Sequence, residues 1–155
     1  MPVKAIPEGY HSITPYLMVR DADKSIEFYR QAFGAELPSP AMKGPDGKTV
    51  HAEMKIGDSR VMIGADLPGR PSTPTDALHL YLYVPDADAV YKKAIAAGAK
   101  SSVEMADQFY GDRSGAVKDP DGHTWWVATH KEDLSRAEIE KRAADYFAKR
   151  GNKAA

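Results

Sequence analysis

Residues 16–23 read YLMVRDAD, and nearly the same run returns at residues 81–88 as YLYVPDAD. Each copy leads into apolar residues at helical spacing, and each helical pattern ends at a glycine, Gly34 or Gly98. One repeat of this length is too long for a solenoid and indicates a duplicated supersecondary unit.

Short strand-like runs separated by Gly, Pro and Asp turns follow both helices. The runs cover residues 49–56 and 60–64 in the first half, and 99–104, 114–118 and 124–130 in the second. Each half therefore reads β-α-β-β-β. The sequence predicts an α+β fold in which two tandem βαβββ modules form a curved mixed sheet around a cup, with helices on the outer face and an added C-terminal helix.

The predicted domain covers residues 1–134 and is followed by an amphipathic helix at 135–150. Within the domain, module one covers about 12–65, a proline-containing linker 66–76, and module two about 77–130. The C-terminal helix carries an apolar stripe with Tyr146 and Phe147, which its own subunit or a neighbour must cover. We therefore expect a homodimer to which this helix contributes.

Composition excludes several classes of protein. The 155 residues carry a formal charge of -1 without a basic face, so we expect no nucleic-acid partner. The absence of cysteine removes thiolate metal sites, thiol nucleophiles and disulfides, and fits a reducing compartment. The N-terminal run lacks the apolar core of a secretion signal, and no stretch is long enough to span a bilayer. We expect a cytoplasmic protein with no membrane partner.

Strand alternation divides the side chains of the first strand of module two between two faces. His79, Tyr81 and Tyr83 share one face, opposite Leu80 and Leu82. The aliphatic face suits cover by a helix. The aromatic and polar face suits a concave small-molecule site, although a wet outer face is the competing interpretation.

The same alternation places further residues on the cup side and at its rim. The candidate ligand-binding residues are Tyr16, Tyr81, Tyr83, Trp126, Gln108, Tyr110 and Arg113. The candidate catalytic residues are His79, Glu53 and His51.

Four of these candidates have open alternatives. His79 is either a ligand-contacting residue or a hydrogen-bonded core histidine, and Trp126 either stacks on a ligand or packs in the core. Arg113 either clamps a ligand carboxylate or phosphate, or pairs with Asp107 or Asp112 to hold a loop between strands. Glu53 either acts as a general base in the cup, or belongs with Lys55 to a solvated edge.

The duplicated module resembles the vicinal oxygen chelate superfamily, which includes glyoxalase I, bleomycin resistance proteins and extradiol dioxygenases. The motifs that carry the resemblance are LMVRD at 17–21, SIEFY at 25–29, FGA at 33–35, AGA at 97–99 and DPDGH at 119–123. Residues 108–113 (QFYGDR) and 125–133 look more narrowly like the PhnB-like subgroup.

The resemblance implies four metal-ligand positions, on the first and last strand of each module. Here they hold Thr14, Gly64, His79 and Trp126, of which only His79 has a side chain that binds metals. We therefore expect no cofactor. A divalent ion held by His51, Glu53 and His79 stays open as an alternative, because two imidazoles and a carboxylate form a facial triad.

The sequence predicts a metal-independent small-molecule binding protein of the glyoxalase/bleomycin resistance type, holding a planar or aromatic compound. The alternative is a lyase, isomerase or dioxygenase that uses His51, Glu53 and His79 with or without a metal. A third alternative is an assembly or scaffold module.

Overall fold

The predicted duplication is present in a computed structural model, which describes residues 3–73 and 75–153. Module one consists of β1 (Tyr16–Val19), α1 (Ala22–Phe33), β2 (Met42–Lys43), β3 (Thr49–Ile56) and β4 (Ser59–Ala65). Module two consists of β5 (His79–Tyr83), α2 (Ala87–Ala96), β6 (Lys100–Asp107), β7 (Asp112–Lys118) and β8 (Thr124–His130). Helix α3 (Arg136–Gly151) follows. Residues 1, 2 and 74, which belong to the predicted domain and linker, lie outside the described residues.

The two modules share one sheet topology. Their strand orders are β1-β4-β3-β2 and β5-β8-β7-β6, and the first strand of each module is parallel to the last. The other pairings are antiparallel, so both sheets are mixed. The predicted α+β fold with a C-terminal helix is confirmed.

The repeated Asp-Ala-Asp motif starts the helices, as capping predicts. Asp21 accepts a hydrogen bond from the amide of Lys24, and Asp86 accepts one from the amide of Ala89. Helix α1 ends at Gly34, whose φ of 66° is left-handed backbone that glycine adopts without strain. The two Asp caps and the terminal glycine are local features, which is why the sequence predicts them well.

Aliphatic residues of both sheets form the core beneath the helices. Val19, Met54 and Ile63 in module one and Val127 in module two are fully buried. Strand alternation would also assign Ile13 to the face of Leu17 and Val19, but Ile13 is 87% exposed. Strand β1 begins only at Tyr16, because the preceding Pro15 has no N–H to donate to a ladder.

The turn at residues 119–123 (DPDGH) joins the modules. The buried carboxylate of Asp119 accepts hydrogen bonds from the hydroxyl of Tyr29 on α1 and, at 3.1 Å, from the indole of Trp125 on β8. Asp121 accepts a 2.7 Å bond from the hydroxyl of Ser25, also on α1. The motif therefore fixes helix α1 of module one to the sheet of module two.

Candidate functional site

The predicted ligand-binding side chains of module two lie on one face of its sheet. The register pairs Tyr81 with Trp126 and Tyr83 with Ala128, so these side chains point to the side opposite the half-buried Leu82 and the buried Val127. Tyr81 is 40% exposed and Tyr83 60% exposed, although both are large and apolar over most of their surface. We call this surface, with His79, the module-two face.

His79, Trp126 and Tyr81 form a continuous unit on the module-two face. The indole Nε1 of Trp126 donates to Nδ1 of His79 at 3.1 Å. The rings of Trp126 and Tyr81 are stacked, with centroids 6.0 Å apart and planes 15° apart. Flat rings held parallel in this way offer an aromatic surface with fixed orientation.

A buried carboxylate, which the sequence analysis missed, organises the far end of the module-two face. Asp112 Oδ2 accepts from the hydroxyls of Tyr83 at 2.9 Å and Tyr81 at 3.2 Å. Its Oδ1 lies 2.8 Å from Nδ1 of His130. Burial raises the pKa of Tyr81, and burial together with the bond to Asp112 raises that of Tyr83, so both hydroxyls stay protonated near neutral pH.

His130 lies between two carboxylates. Its Nε2 is 2.9 Å from Asp133 Oδ1, on the segment that leads to α3. The hydrogen bonds to Asp112 and then to Asp133 raise the pKa of His130. Because a carboxylate only accepts, both ring nitrogens donate when His130 is charged.

The predicted rim residues separate into two groups. Tyr110 reaches the module-two face, with its hydroxyl 3.1 Å from that of Tyr81. The side chain of Gln108 donates to the carbonyl of Ser114 at 3.3 Å and so braces the turn before β7.

Arg113 lies elsewhere, because Asp112 and Arg113 begin β7 and do not form the expected loop. Its register partner is Thr129, which puts it on the helix side of the sheet. There it binds both oxygens of Asp88 at 2.6 and 2.9 Å, and Asp107 at 3.3 Å. Of the two sequence alternatives, the Asp107 ion pair is observed; Asp88, in the first turn of α2, was not foreseen.

Module one presents a second polar face around Tyr16. The Tyr16 hydroxyl lies 3.2 Å from Nδ1 of His51, and His51 and Glu53 lie on the same face of β3 as their spacing predicts. A Cβ at Gly64 would lie only 2.6 Å from the Tyr16 hydroxyl oxygen, so the Tyr16 ring occupies the space above this glycine. Tyr16 itself remains 52% exposed.

The register corrects one correspondence between the modules. Gly64 pairs with Met18 and Trp126 with Tyr81, so Met62, which pairs with Tyr16, is the counterpart of Trp126. Gly64 corresponds instead to Ala128. Neither Gly64, Ala128 nor the Trp126 indole supplies a metal-binding lone pair, and the Met62 thioether suits only soft metals.

The side chains of residues 3–73 and 75–153 contain no group of three or more His, Asp and Glu residues that could hold a metal ion. His51 and Glu53 belong to the sheet of module one, and His79 to the sheet of module two. A donor set for a divalent ion is therefore not assembled among these residues in one chain.

The model of the Glyoxalase/Bleomycin resistance protein/Dioxygenase superfamily matches residues 9–127. The chain belongs to this superfamily, which confirms the resemblance inferred from its sequence. The matched range includes both modules except residues 128–130, which end β8.

The chain is also similar to individual proteins and solved structures. Protein Mb0911c of Mycobacterium bovis is 36% identical over 137 residues, which cover 83% of this chain and 90% of that protein. The structure of TioX from Micromonospora sp. ML1 is 25% identical with a TM-score of 0.58, and covers 77% of this chain and 99% of TioX. A PhnB protein from Bacillus cereus has a TM-score of 0.65 at 20% identity, covering 77% and 99% of the two chains, and shows the shared fold.

Within the described residues, no helix has both the length and the apolar content that crossing a bilayer requires.

Proposed function

We propose that this protein binds a planar or aromatic small molecule on the module-two face without the help of a metal ion. The observation that carries the proposal is the stacked Trp126–Tyr81 pair, with the His79 imidazole fixed beside it and the tyrosine hydroxyls at its far end. Small-molecule sites combine an apolar or aromatic surface with a few placed polar groups, and this face has that composition.

The metal that the superfamily commonly uses does not fit these residues. The ligand positions carried over from the family hold Thr14, Gly64, His79 and Trp126, and the last of these donates its N–H to the one imidazole available. This bond occupies the lone pair on Nδ1 of His79 and places the proton of the neutral imidazole on Nε2, so neither ring nitrogen offers a free lone pair, whereas a divalent ion needs three or four donors.

The first experiment is a thermal-shift screen of small aromatic compounds, followed by calorimetric titration of those that raise Tm. We expect Trp126→Ala to weaken binding of a hit by tenfold or more, since stacking on one aromatic ring contributes about 0.5–1.5 kcal/mol beyond the area it buries. Phe28→Leu is the matched control, because Phe28 lies in α1 of module one and away from the module-two face. This change should leave the affinity within about twofold. Undiminished binding by Trp126→Ala would contradict the proposal.

The enzymatic alternative uses His51, Glu53 and His79 with or without a metal, and the contact of His51 with the Tyr16 hydroxyl beside Glu53 supports it because these groups could transfer a proton. Elemental analysis of protein purified without a histidine tag tests the metal-dependent form of the alternative. Stoichiometric metal that disappears in His79→Ala would favour the enzyme over the metal-independent binding protein.

We also propose a cytoplasmic homodimer in which α3 contributes to the contact. Tyr146 and Phe147 pack against Phe109, with ring centroids 5.2 and 5.9 Å away, yet Phe147 stays 60% exposed and α3 buries no residue. A second copy of the chain would remove these rings from water.

A further inference from the structure

The chemistry of the side chains on the module-two face fixes which atom donates and which accepts in each hydrogen bond. The assignment starts from Trp126. An indole N–H donates and cannot accept, so Nδ1 of His79 must be the acceptor in their 3.1 Å contact. A neutral imidazole carries one proton, which then lies on Nε2. His79 thus offers a ligand an N–H donor, and Trp126 is the positioning residue that fixes this tautomer.

At the opposite end of the face, the groups left for a ligand are hydrogen-bond acceptors. The tyrosine hydroxyls there donate their protons in hydrogen bonds to Asp112. The carboxylate only accepts, so Tyr83 and Tyr81 both donate to its Oδ2. Each tyrosine has a single O–H. The hydroxyl of Tyr110 must therefore donate to Tyr81 across their 3.1 Å contact, since the reverse would leave Tyr81 oxygen and Asp112 oxygen facing each other without a proton.

The tyrosine end is left with oxygen lone pairs. Among the described residues Tyr83 accepts no hydrogen bond, so its oxygen lone pairs remain available to a ligand, whereas the Tyr81 oxygen faces the hydroxyls of Tyr110 and Ser114. The charge of Asp112 behind them disfavours a second anion at this end when His130 is neutral, because like charges repel more strongly where burial lowers the effective dielectric; protonated His130 offsets this charge.

We propose that the module-two face selects a flat aromatic ligand with a carbonyl or carboxylate oxygen at the His79 end and an O–H or N–H group at the tyrosine end. This inference rests on the proposed function and adds the chemical class and orientation of the ligand. The Cα atoms of His79 and Tyr83 are four strand residues, or about 13 Å, apart, which suits a fused two-ring compound with a substituent at each end.

The tautomer is tested first, on the protein without ligand. Imidazole ¹⁵N chemical shifts, assigned with His79→Gln and recorded at alkaline pH, report which ring nitrogen carries the proton. We expect the Nε2–H form alone in the wild type and a mixture of both tautomers in Trp126→Phe. A proton on Nδ1 in the wild type, or identical tautomer populations in the two proteins, would overturn the role given to Trp126.

The ligand class is tested by calorimetry with three probes that share one ring system: 6-hydroxy-2-naphthoate, 6-methoxy-2-naphthoate and naphthalene-2,6-dicarboxylate. We expect the hydroxy compound to bind about tenfold more tightly than either other probe, because only it brings a donor to the tyrosine lone pairs. Tyr83→Phe should reduce this preference, whereas the matched control Tyr91→Phe, whose hydroxyl bonds Ser101 away from the face, should keep it.

Equal or tighter binding of the dicarboxylate would refute the proposed direction while leaving aromatic binding intact. Failure of all three probes to bind would count against the proposed function, and the ¹⁵N measurement would still decide the tautomer.

Discussion

Asp112 is a single buried residue that holds several side chains of the module-two face in place. Its carboxylate is buried and accepts from Tyr81, Tyr83 and His130, three side chains from two different strands. The alternation of β5 predicted the tyrosines, because alternation is a local property. Asp112 was assigned to a loop, since the glycine before it is a turn signal that does not reveal how soon the next strand begins.

His130 makes stability depend on pH. Its pKa is raised above the unfolded value of about 6.5, so its ion pairs stabilise the fold fully below that pH and the stabilisation is lost as pH rises through the folded pKa. We expect the Tm difference between wild type and His130→Gln to be largest in mildly acidic buffer and to shrink on the alkaline side. A difference that stays constant or widens with rising pH, in thermal scans across this range, would contradict the assignment.

Two buried threonines make a matched pair. The hydroxyl of Thr124 has no hydrogen-bond partner among the described residues, whereas that of Thr49 donates to Asp23 at 2.6 Å and accepts from Lys43 at 2.7 Å. We expect Thr124→Val to change the free energy of unfolding by less than about 1 kcal/mol or to raise it, and Thr49→Val to lower it by about 1–2 kcal/mol. Urea titration measures both, and an equal loss in the two variants would refute the distinction.

Among the elements, the turn at residues 119–123 contributes the most specific contacts between the modules. The sequence identified it as a turn, because Asp-Pro-Asp-Gly is strong turn chemistry. Its role in joining the modules depends on Tyr29 and Ser25, which lie about ninety residues earlier in the chain. Contacts over such separations have no signature in local periodicity.

Removing Asp119 should destabilise the whole protein. Asp119→Ala leaves the buried Tyr29 hydroxyl and Trp125 indole without their acceptor, and we expect a loss of about 3 kcal/mol or more in the free energy of unfolding. Asp58→Ala is the control, since Asp58 lies in an exposed turn and bonds only its neighbour Ser59; its effect should stay within about 0.5 kcal/mol. Chemical denaturation giving similar losses for both would disprove the joining role.

At the scale of the whole molecule, the duplication was the best-predicted property. Two copies of one motif predicted two βαβββ modules, and the structure shows two modules with the same strand order. The relative placement of candidate residues was harder to predict. Alternation assigns His51, Glu53 and His79 to cup-side faces but does not bring the faces of two separate sheets together, and these residues form no metal-binding group in the described chain.

The proposed dimer can be tested through α3. Phe147→Glu puts a charge among the exposed rings, and we expect it to shift the mass measured by light scattering from dimer toward monomer at micromolar concentration. Lys149→Glu introduces the same residue two positions away in the last turns of the helix and should leave the dimer intact. A wild-type chain that is monomeric throughout this concentration range would exclude the proposed contact.

The crowding at Gly64 links this glycine to the polar contact made by Tyr16. Any side chain at that position would meet the Tyr16 oxygen at 2.6 Å and the Met18 sulfur at 2.9 Å. Both atoms are the far ends of side chains, and Tyr16 is 52% exposed, so a larger residue at position 64 is accommodated only by turning the Tyr16 ring away from the sheet. That movement would break the 3.2 Å contact between the Tyr16 hydroxyl and His51, so the glycine is what allows the ring to lie across β4 and reach the imidazole.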